Sequence, residues 1–151
     1  MADVARPVGD DPFVEALAQL IIPMGMPPIA ARIQGYLMLS PEPLTLDELV
    51  AGLGISKSSA SVAARLLERY GVVQCYSERG TKRVRYGVAE RCAGFLAEQA
   101  RFIGAMASLL KCTAQARPGA ETAARLADMG GFYQRVHDAL DGVLNEDEGG
   151  L

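Results

Sequence analysis

The apolar positions recur every three to four residues along the first half of the chain, switch to every second residue for a short stretch, and then return to the helical period. Asp10 or Asp11 can cap a helix with Pro12 in its first turn, running through "FVEALAQLII" to a stop at Pro23. "PMGMPP" makes a connector. The next helix, "PIAARIQGYLML", puts Ile29, Ile33, Tyr36 and Leu37 on one face and ends at Ser40-Pro41. "TLDEL" reads as a capping box in which Thr45 caps and Glu48 reaches back, opening a short helix to Leu53. Gly54 can close it in the left-handed conformation, Ile55 packs under the turn, and Ser56 caps the following helix. A short helix, a glycine turn and a capped second helix form a helix-turn-helix signature.

Laid out at about 100° per residue, that second helix gathers Ala60, Ala64 and Leu67 on one side, with Leu66 and Tyr70 at the border. Ser58, Ser61, Val62, Arg65 and Arg69 share the other side. After Gly71 the period becomes two: "VVQCYS" and "RVRYGV" flank "ERGTK", predicting a two-stranded hairpin wing. Val84, Tyr86 and Val88 would share one face of it, Arg83 and Arg85 the other. An apolar helix from Arg91 to about Ala116 carries Phe95, Leu96, Phe102, Ile103, Met106, Leu109 and Leu110. Pro118-Gly119 breaks it before a last helix, "AETAARLADMGGFYQRVHDALDGVL".

The expected fold is mainly α with a small β-hairpin wing, a winged helix-turn-helix with flanking dimerisation helices. Residues 1–23 form an N-terminal arm and dimerisation helix, disordered over its first nine residues, and 24–90 form the DNA-binding domain. Residues 91–145 supply C-terminal dimerisation helices, and 146–151 a disordered acidic tail. The arms hold more Leu and Phe than a small winged core can cover, which argues for a homodimer.

Charge sharpens this picture. Residues 56 to 86 hold seven basic and two acidic side chains, a net +5, so the remainder carries −8 of a total of −3. A basic patch on an acidic body sets where a polyanion binds and in which orientation. The candidate DNA-binding residues are Lys57, Ser58, Ser61, Arg65 and Arg69 on the helix, with Arg79, Lys82, Arg83 and Arg85 on the wing. One serine suffices for capping, so Ser58, Ser59 and Ser61 exceed what a cap requires. Four basic residues fall within positions 79 to 85, which favours phosphate contact over a merely solvated face.

Other chemistry is thin. No paired carboxylates, catalytic triad, P-loop or GxGxxG stands at a workable spacing, so no catalytic residue and no enzyme activity is expected. No cofactor is expected, and no CxxC or Cys/His spacing suggests a metal. Cys92 and Cys112 fall in one predicted helix about 30 Å apart, too far to bridge, and the three cysteines read as buried thiols. A redox role for Cys75 is the minor reading. His137 reads as a satisfied surface or interface histidine, and the methionines as core or as the lining of an adaptable effector pocket. Gln19 and Pro23 break "ALAQLIIPMGM", the longest apolar run near the start, and no signal-peptide flank precedes it, so a cytoplasmic protein without membrane contact is expected.

The stretch "GMPPIAARIQGYLMLSPEPLTLDELVAGLGISKSSASVAARLLERYGVV", followed by "GTKRVRYGV", resembles the GbsR type of the MarR-like transcriptional regulators over roughly residues 24 to 88. The resemblance implies a double-stranded DNA-binding regulator with a dimeric winged-helix fold, the dimer built from terminal helices. Repression by occluding a promoter is the default expectation, since the chain has no room for a separate activation domain. Some members respond to small ligands such as choline or glycine betaine, so a small-molecule effector is a possible partner. Val62 departs from the pattern, standing where many relatives carry a polar or basic side chain. The alternative function is a winged-helix protein-interaction module without sequence-specific DNA binding, which would not need a basic recognition face.

Overall fold

The computed structural model describes residues 9–146. Residues 1–8 of the expected disordered start and all but the first residue of the acidic tail lie outside the described residues, while Gly9, also expected to be disordered, is buried with its carbonyl accepting from Arg32 at 3.1 Å. The chain divides into two compact units at the Cys92–Ala93 junction. The first contains helix α1 (Pro12–Ile21), a 3-10 turn (Ile22–Met24), α2 (Pro28–Leu39), strand β1 (Leu44–Thr45), α3 (Leu46–Leu53), α4 (Lys57–Arg69), β2 (Val73–Ser77) and β3 (Val84–Val88). The second is a pair of long helices, α5 (Ala93–Ala116) and α6 (Ala120–Asn145). No helix among the described residues is long and apolar enough to cross a membrane.

Local chemistry starts each helix where a side chain can satisfy the first free amides. Asp11, rather than Asp10, caps α1 by accepting from the Phe13 amide at 2.8 Å. At α3 the Thr45 hydroxyl accepts from the Glu48 amide at 3.2 Å, and the Glu48 carboxylate accepts from the Thr45 amide at 2.9 Å. Gly54 ends α3 at φ 66°, a left-handed conformation that costs any other L-residue energy. Ser56 then caps α4 by accepting from the Ser59 amide at 3.1 Å.

The core of the first unit forms where α2 packs between α1 and α4. Ile33, Leu37, Leu49, Leu67, Val14, Val72 and Val73 are fully buried. A single apolar face was expected on α2. Because the helix has neighbours on two sides, Ala30, Ala31, Ile33, Gln34, Gly35, Tyr36 and Leu37 are all buried, while Ile29 at the helix start is only half-buried. Ala60, Ala63, Ala64 and Leu67 form the inner face of α4, so its backbone lies close to α2.

The sheet has three strands in the order β1–β3–β2, all antiparallel, where a two-stranded hairpin was expected. Leu44 and Thr45 pair with Tyr86 and Arg85, tying the segment that enters α3 to the wing. In the hairpin, Val73 stands opposite Val88 and Ser77 opposite Val84. Of the expected inner face, Tyr86 is buried, Val84 half-buried and Val88 exposed at the sheet's end. Arg91 and Cys92, at φ 54° and 51°, turn the chain from β3 toward α5. Two successive non-glycine residues in the left-handed region cost of order 1 kcal/mol each.

In the second unit α5 and α6 form an antiparallel hairpin whose buried positions are small: Ala100, Ala107 and Gly130. A Cβ at Gly130 would lie 2.9 Å from Lys111 Cγ, and one at Gly104 2.9 Å from His137 Nδ1, so glycine permits both approaches. His137 is half-buried, and its Nδ1 lies 2.9 Å from the Ala100 carbonyl oxygen. The large apolar side chains Leu96, Phe102, Leu109, Met129, Phe132 and Val143 remain exposed. The cysteines are not the buried set expected. Cys75 and Cys112 are exposed, and Cys92 is half-buried in the turn before α5 rather than within that helix. Of the methionines, Met26 is buried, whereas Met24, Met38 and Met129 are exposed.

The alanine seam has a measurable consequence. Ala64→Leu adds three carbons where Ala64 is fully buried, and should destabilise the protein by about 1–3 kcal/mol. Thermal denaturation should show a midpoint lower by roughly 5–15 °C, whereas Arg69→Ala on the exposed side should shift it little.

Candidate nucleic-acid interface

The outward side of α4 follows from its inward side. Opposite the alanine seam, Ser58, Val62, Arg65 and Arg69 are exposed and Ser61 is half-buried. Ser58 and Ser59 join the cap itself: the Ser58 and Ser56 hydroxyl oxygens lie 3.3 Å apart, and Ser56 Oγ donates to Ser59 Oγ at 2.8 Å. The Arg65 guanidinium donates to the Ser61 hydroxyl at 3.1 Å, one helical turn back. This bond holds the arginine along the helix toward its N-terminal half.

Between α4, the start of α3 and the wing lies a groove of about 580 Å³. Lys57, Ser61, Arg65, Lys82, Arg83 and Arg85 line it together with Thr45, Asp47 and Glu48. Six of the nine candidate residues therefore meet on one concave surface, although they come from two separate sequence segments. Five basic side chains face two acidic ones there, which leaves the groove positive. Arg69 at the end of α4 and Arg79 in the hairpin loop lie outside it, both exposed. Ser58 borders a separate apolar depression with Pro27, Pro28, Ile29, Val62 and Leu66.

The basic residues are not equivalent. Lys82, Arg83 and Arg79 stand exposed around the wing loop. Lys57 pairs with Asp47 at 3.2 Å, but both side chains are more than two-thirds exposed, so the pair is weak and easily exchanged for another anion. Arg85, expected on a free basic face, is half-buried. Its guanidinium donates to the Glu78 carboxylate and to the Pro43 carbonyl at 3.3 Å, and lies 3.5 Å from Glu48 Oε2. Arg85 thus ties the loop side of the wing hairpin to the cap of α3. Glu48, expected only as part of the α3 cap, and Glu78 are neighbours of Arg85 that the linear pattern did not connect to it. Hairpin register brings Glu78 to Arg85, whereas the Glu48 contact depends on β1.

These ion pairs shift protonation. The hydrogen bond from Arg85 holds the Glu78 carboxyl below its ordinary range, with the charges of Arg85 and Arg83 adding to the effect against partial desolvation. The same bond raises Arg85. At Cys75, desolvation and the nearby Glu68 push the thiol upward, which favours the neutral form and opposes a reactive thiolate.

No family model matches the chain. A Bacillus subtilis (strain 168) protein named as an HTH-type transcriptional regulator, YvaV, is 28% identical over 81 residues. That alignment spans 54% of this chain and 46% of the relative, so the chain matches about half of the relative's length. The crystal structure of a transcriptional regulator superposes with a TM-score of 0.72 over 90% of this chain and 95% of its own, at 21% identity. The two molecules share a fold, a winged helix-turn-helix followed by long helices.

The Glu78–Arg85 contact generates a pH test. Because the folded carboxyl titrates below its unfolded value, the stability it adds is complete above the ordinary carboxylate range, about pH 4–5, and is lost as pH falls through the lowered value. Glu78→Gln should therefore be less stable than the wild-type chain by a constant margin between about pH 6 and 8, and the margin should close on acidification. Denaturation midpoints at about pH 7, 5 and 3 measure it. An equal margin throughout would exclude this pairing as its source.

Proposed function

We propose that the chain is a transcriptional regulator that binds double-stranded DNA through α4 and the wing. The observation that carries this reading is the groove in which Lys57, Ser61, Arg65, Lys82, Arg83 and Arg85 converge beside the outward face of α4. A major groove about 12 Å wide accepts a helix whose leading side chains are small. The hydroxyls of Ser58 and Ser61 allow such an approach, while Arg65 and Arg69 reach farther. The wing loop, with Arg79, Lys82 and Arg83, then meets the flanking phosphates. Arg85 lines the groove with its guanidinium engaged by Glu48 and Glu78, so it serves mainly to hold the wing in position. The HTH-type name of the Bacillus subtilis relative supports the same reading, as does the shared fold.

The finer proposal is a GbsR-type, MarR-like repressor that acts as a homodimer and blocks a promoter by occupying it. Exposed Phe102, Leu109, Phe132 and Val143 on the α5–α6 hairpin, and Leu20 on α1, would be covered by a second copy. A hairpin of two helices that buries only Ala100, Ala107 and Gly130 among the described residues leaves its large side chains uncovered.

Two measurements test these proposals. If each subunit neutralises about four phosphates, the dimer releases about eight counterions and the slope of log K against log salt is near −7. A slope shallower than about −2 would remove the basic groove as the DNA surface. Lys82→Ala and Arg83→Ala should weaken binding equally on all sequences, because phosphate contacts position the protein without reading bases. Sedimentation at micromolar concentration should give a dimer. Phe102→Asp with Leu109→Asp should yield monomers whose helical content is retained, and a monomeric wild-type chain would sink this part.

A further inference from the structure

We infer that Val62 reads the 5-methyl group of a thymine in the major groove, an assignment that rests on the DNA-binding role of α4. At about 100° per residue, the buried Ala60, Ala63, Ala64 and Leu67 centre on one direction, and the opposite direction falls between Ser58, Val62, Arg65 and Arg69. Val62 lies about 30° from that outward normal, as does Arg65 on the other flank. It is 68% exposed, the only large apolar side chain of α4 classed as exposed among the described residues.

Three features make this valine more than an incidental surface residue. Single exposed apolar side chains are common and ordinarily need no explanation. Here, however, the residue occupies the middle of a stripe otherwise composed of Ser58, Ser61, Arg65 and Arg69. Valine also lowers helix propensity relative to alanine or arginine, and although Val62 borders the apolar depression with Pro28 and Ile29 of α2, it stays 68% exposed, so neither propensity nor close packing accounts for it. Finally, α4 divides two surfaces. The basic groove lies on the side of Ser61 and Arg65, and an apolar depression of about 370 Å³ bordered by Pro27, Pro28, Ile29 and Leu66 lies on the side of Ser58 and Val62.

A thymine edge in the major groove offers a similar division: a carbonyl acceptor at O4 and, beside it, the only methyl group on an unmodified base pair. With Arg65 held toward the N-terminal half of α4 by Ser61, the helix presents a guanidinium and two branched methyls one turn apart. The arginine suits guanine O6 and N7, and the valine suits a thymine methyl. The charge around Val62 selects the occupant. Arg65 and Arg69, exposed on the same outward side, draw in a polyanion, and an apolar protein segment would gain nothing from them.

The test uses the full chain and a duplex it selects from a random library. Each thymine is replaced in turn by deoxyuridine, which removes only the methyl. Binding of the wild-type chain should weaken roughly three- to tenfold at one position per half-site and be unchanged elsewhere. Val62→Ala should lose a similar factor on the thymine duplex and show no further loss on the deoxyuridine duplex. Val62→Ile should retain the thymine preference. Val62 is exposed, so unchanged thermal midpoints are expected for both variants. Indifference of the wild type to every deoxyuridine, or a Val62→Ala variant that keeps the full sensitivity, would overturn the assignment while leaving DNA binding intact. An unaffected affinity in Val62→Ala for all duplexes would also overturn it and would favour a protein partner on the apolar depression. Retardation of all sequences alike would overturn it together with sequence-specific binding itself.

Discussion

The close contact between α2 and α4 decides what the rest of the first unit can do. Ala30 and Ala31 on one helix and Ala60 and Ala64 on the other are fully buried, and none carries a side chain long enough to hold the backbones apart. With the long side chains excluded from this seam, α4 has only one place to put Arg65 and Arg69, and that place is solvent. The same restriction sets the character of the outward face. A helix with larger residues inside would stand farther from α2, and the surface that Ser61 and Arg65 share with the wing would change with it.

The wing is placed by a different kind of interaction. Glu48 accepts the Thr45 amide as part of the α3 cap, and the same carboxylate oxygen lies 3.5 Å from the Arg85 guanidinium. Arg85 also reaches Glu78 and the Pro43 carbonyl. Each contact is partly exposed and individually weak. Together with the β1–β3 pairing they constrain direction more than they add stability, aligning the wing loop with α4. Arg85, one of the expected DNA-binding residues, lines the groove with its guanidinium already engaged, and the acidic residues bordering the groove have a structural use.

Elements specified by local chemistry were legible in the sequence. The Thr45–Glu48 box, Gly54, Ser56 and the alanine face of α4 each depend on residues a few positions apart, and each appears in the structure as the pattern implies. β1 escaped because two residues display no alternation, and their pairing with Tyr86 and Arg85 depends on the folded chain. Burial of α2 on several sides escaped for a related reason: periodicity reveals one buried face, whereas contacts with both α1 and α4 require the tertiary arrangement. Cys75 and Cys112 show the limit of composition, since a cysteine's usual burial does not determine the side of a strand or helix on which it falls. At the candidate interface, charge segregation pointed to residues of which six share one groove, but it could not separate Lys82 and Arg83, which face solvent, from Arg85, which is occupied.

The proposed homodimer gives weak contacts on α4 a larger effect. A closed two-fold assembly presents the same helix twice, so its binding site on DNA must be an inverted repeat. Base-pair discriminations at separate positions add approximately in free energy, and their factors multiply. A methyl contact worth about fivefold in one subunit becomes about 25-fold in the pair, and a guanine contact from Arg65 is squared in the same way. Strong readout from any single residue is then unnecessary. This fits an outward face composed of serines, one valine and two arginines, in which only Arg65 has been positioned by a partner on its own helix. On this proposal the units divide the labour, with small residues in α4 setting the approach to DNA and large exposed residues in α5 and α6 offered to a second copy.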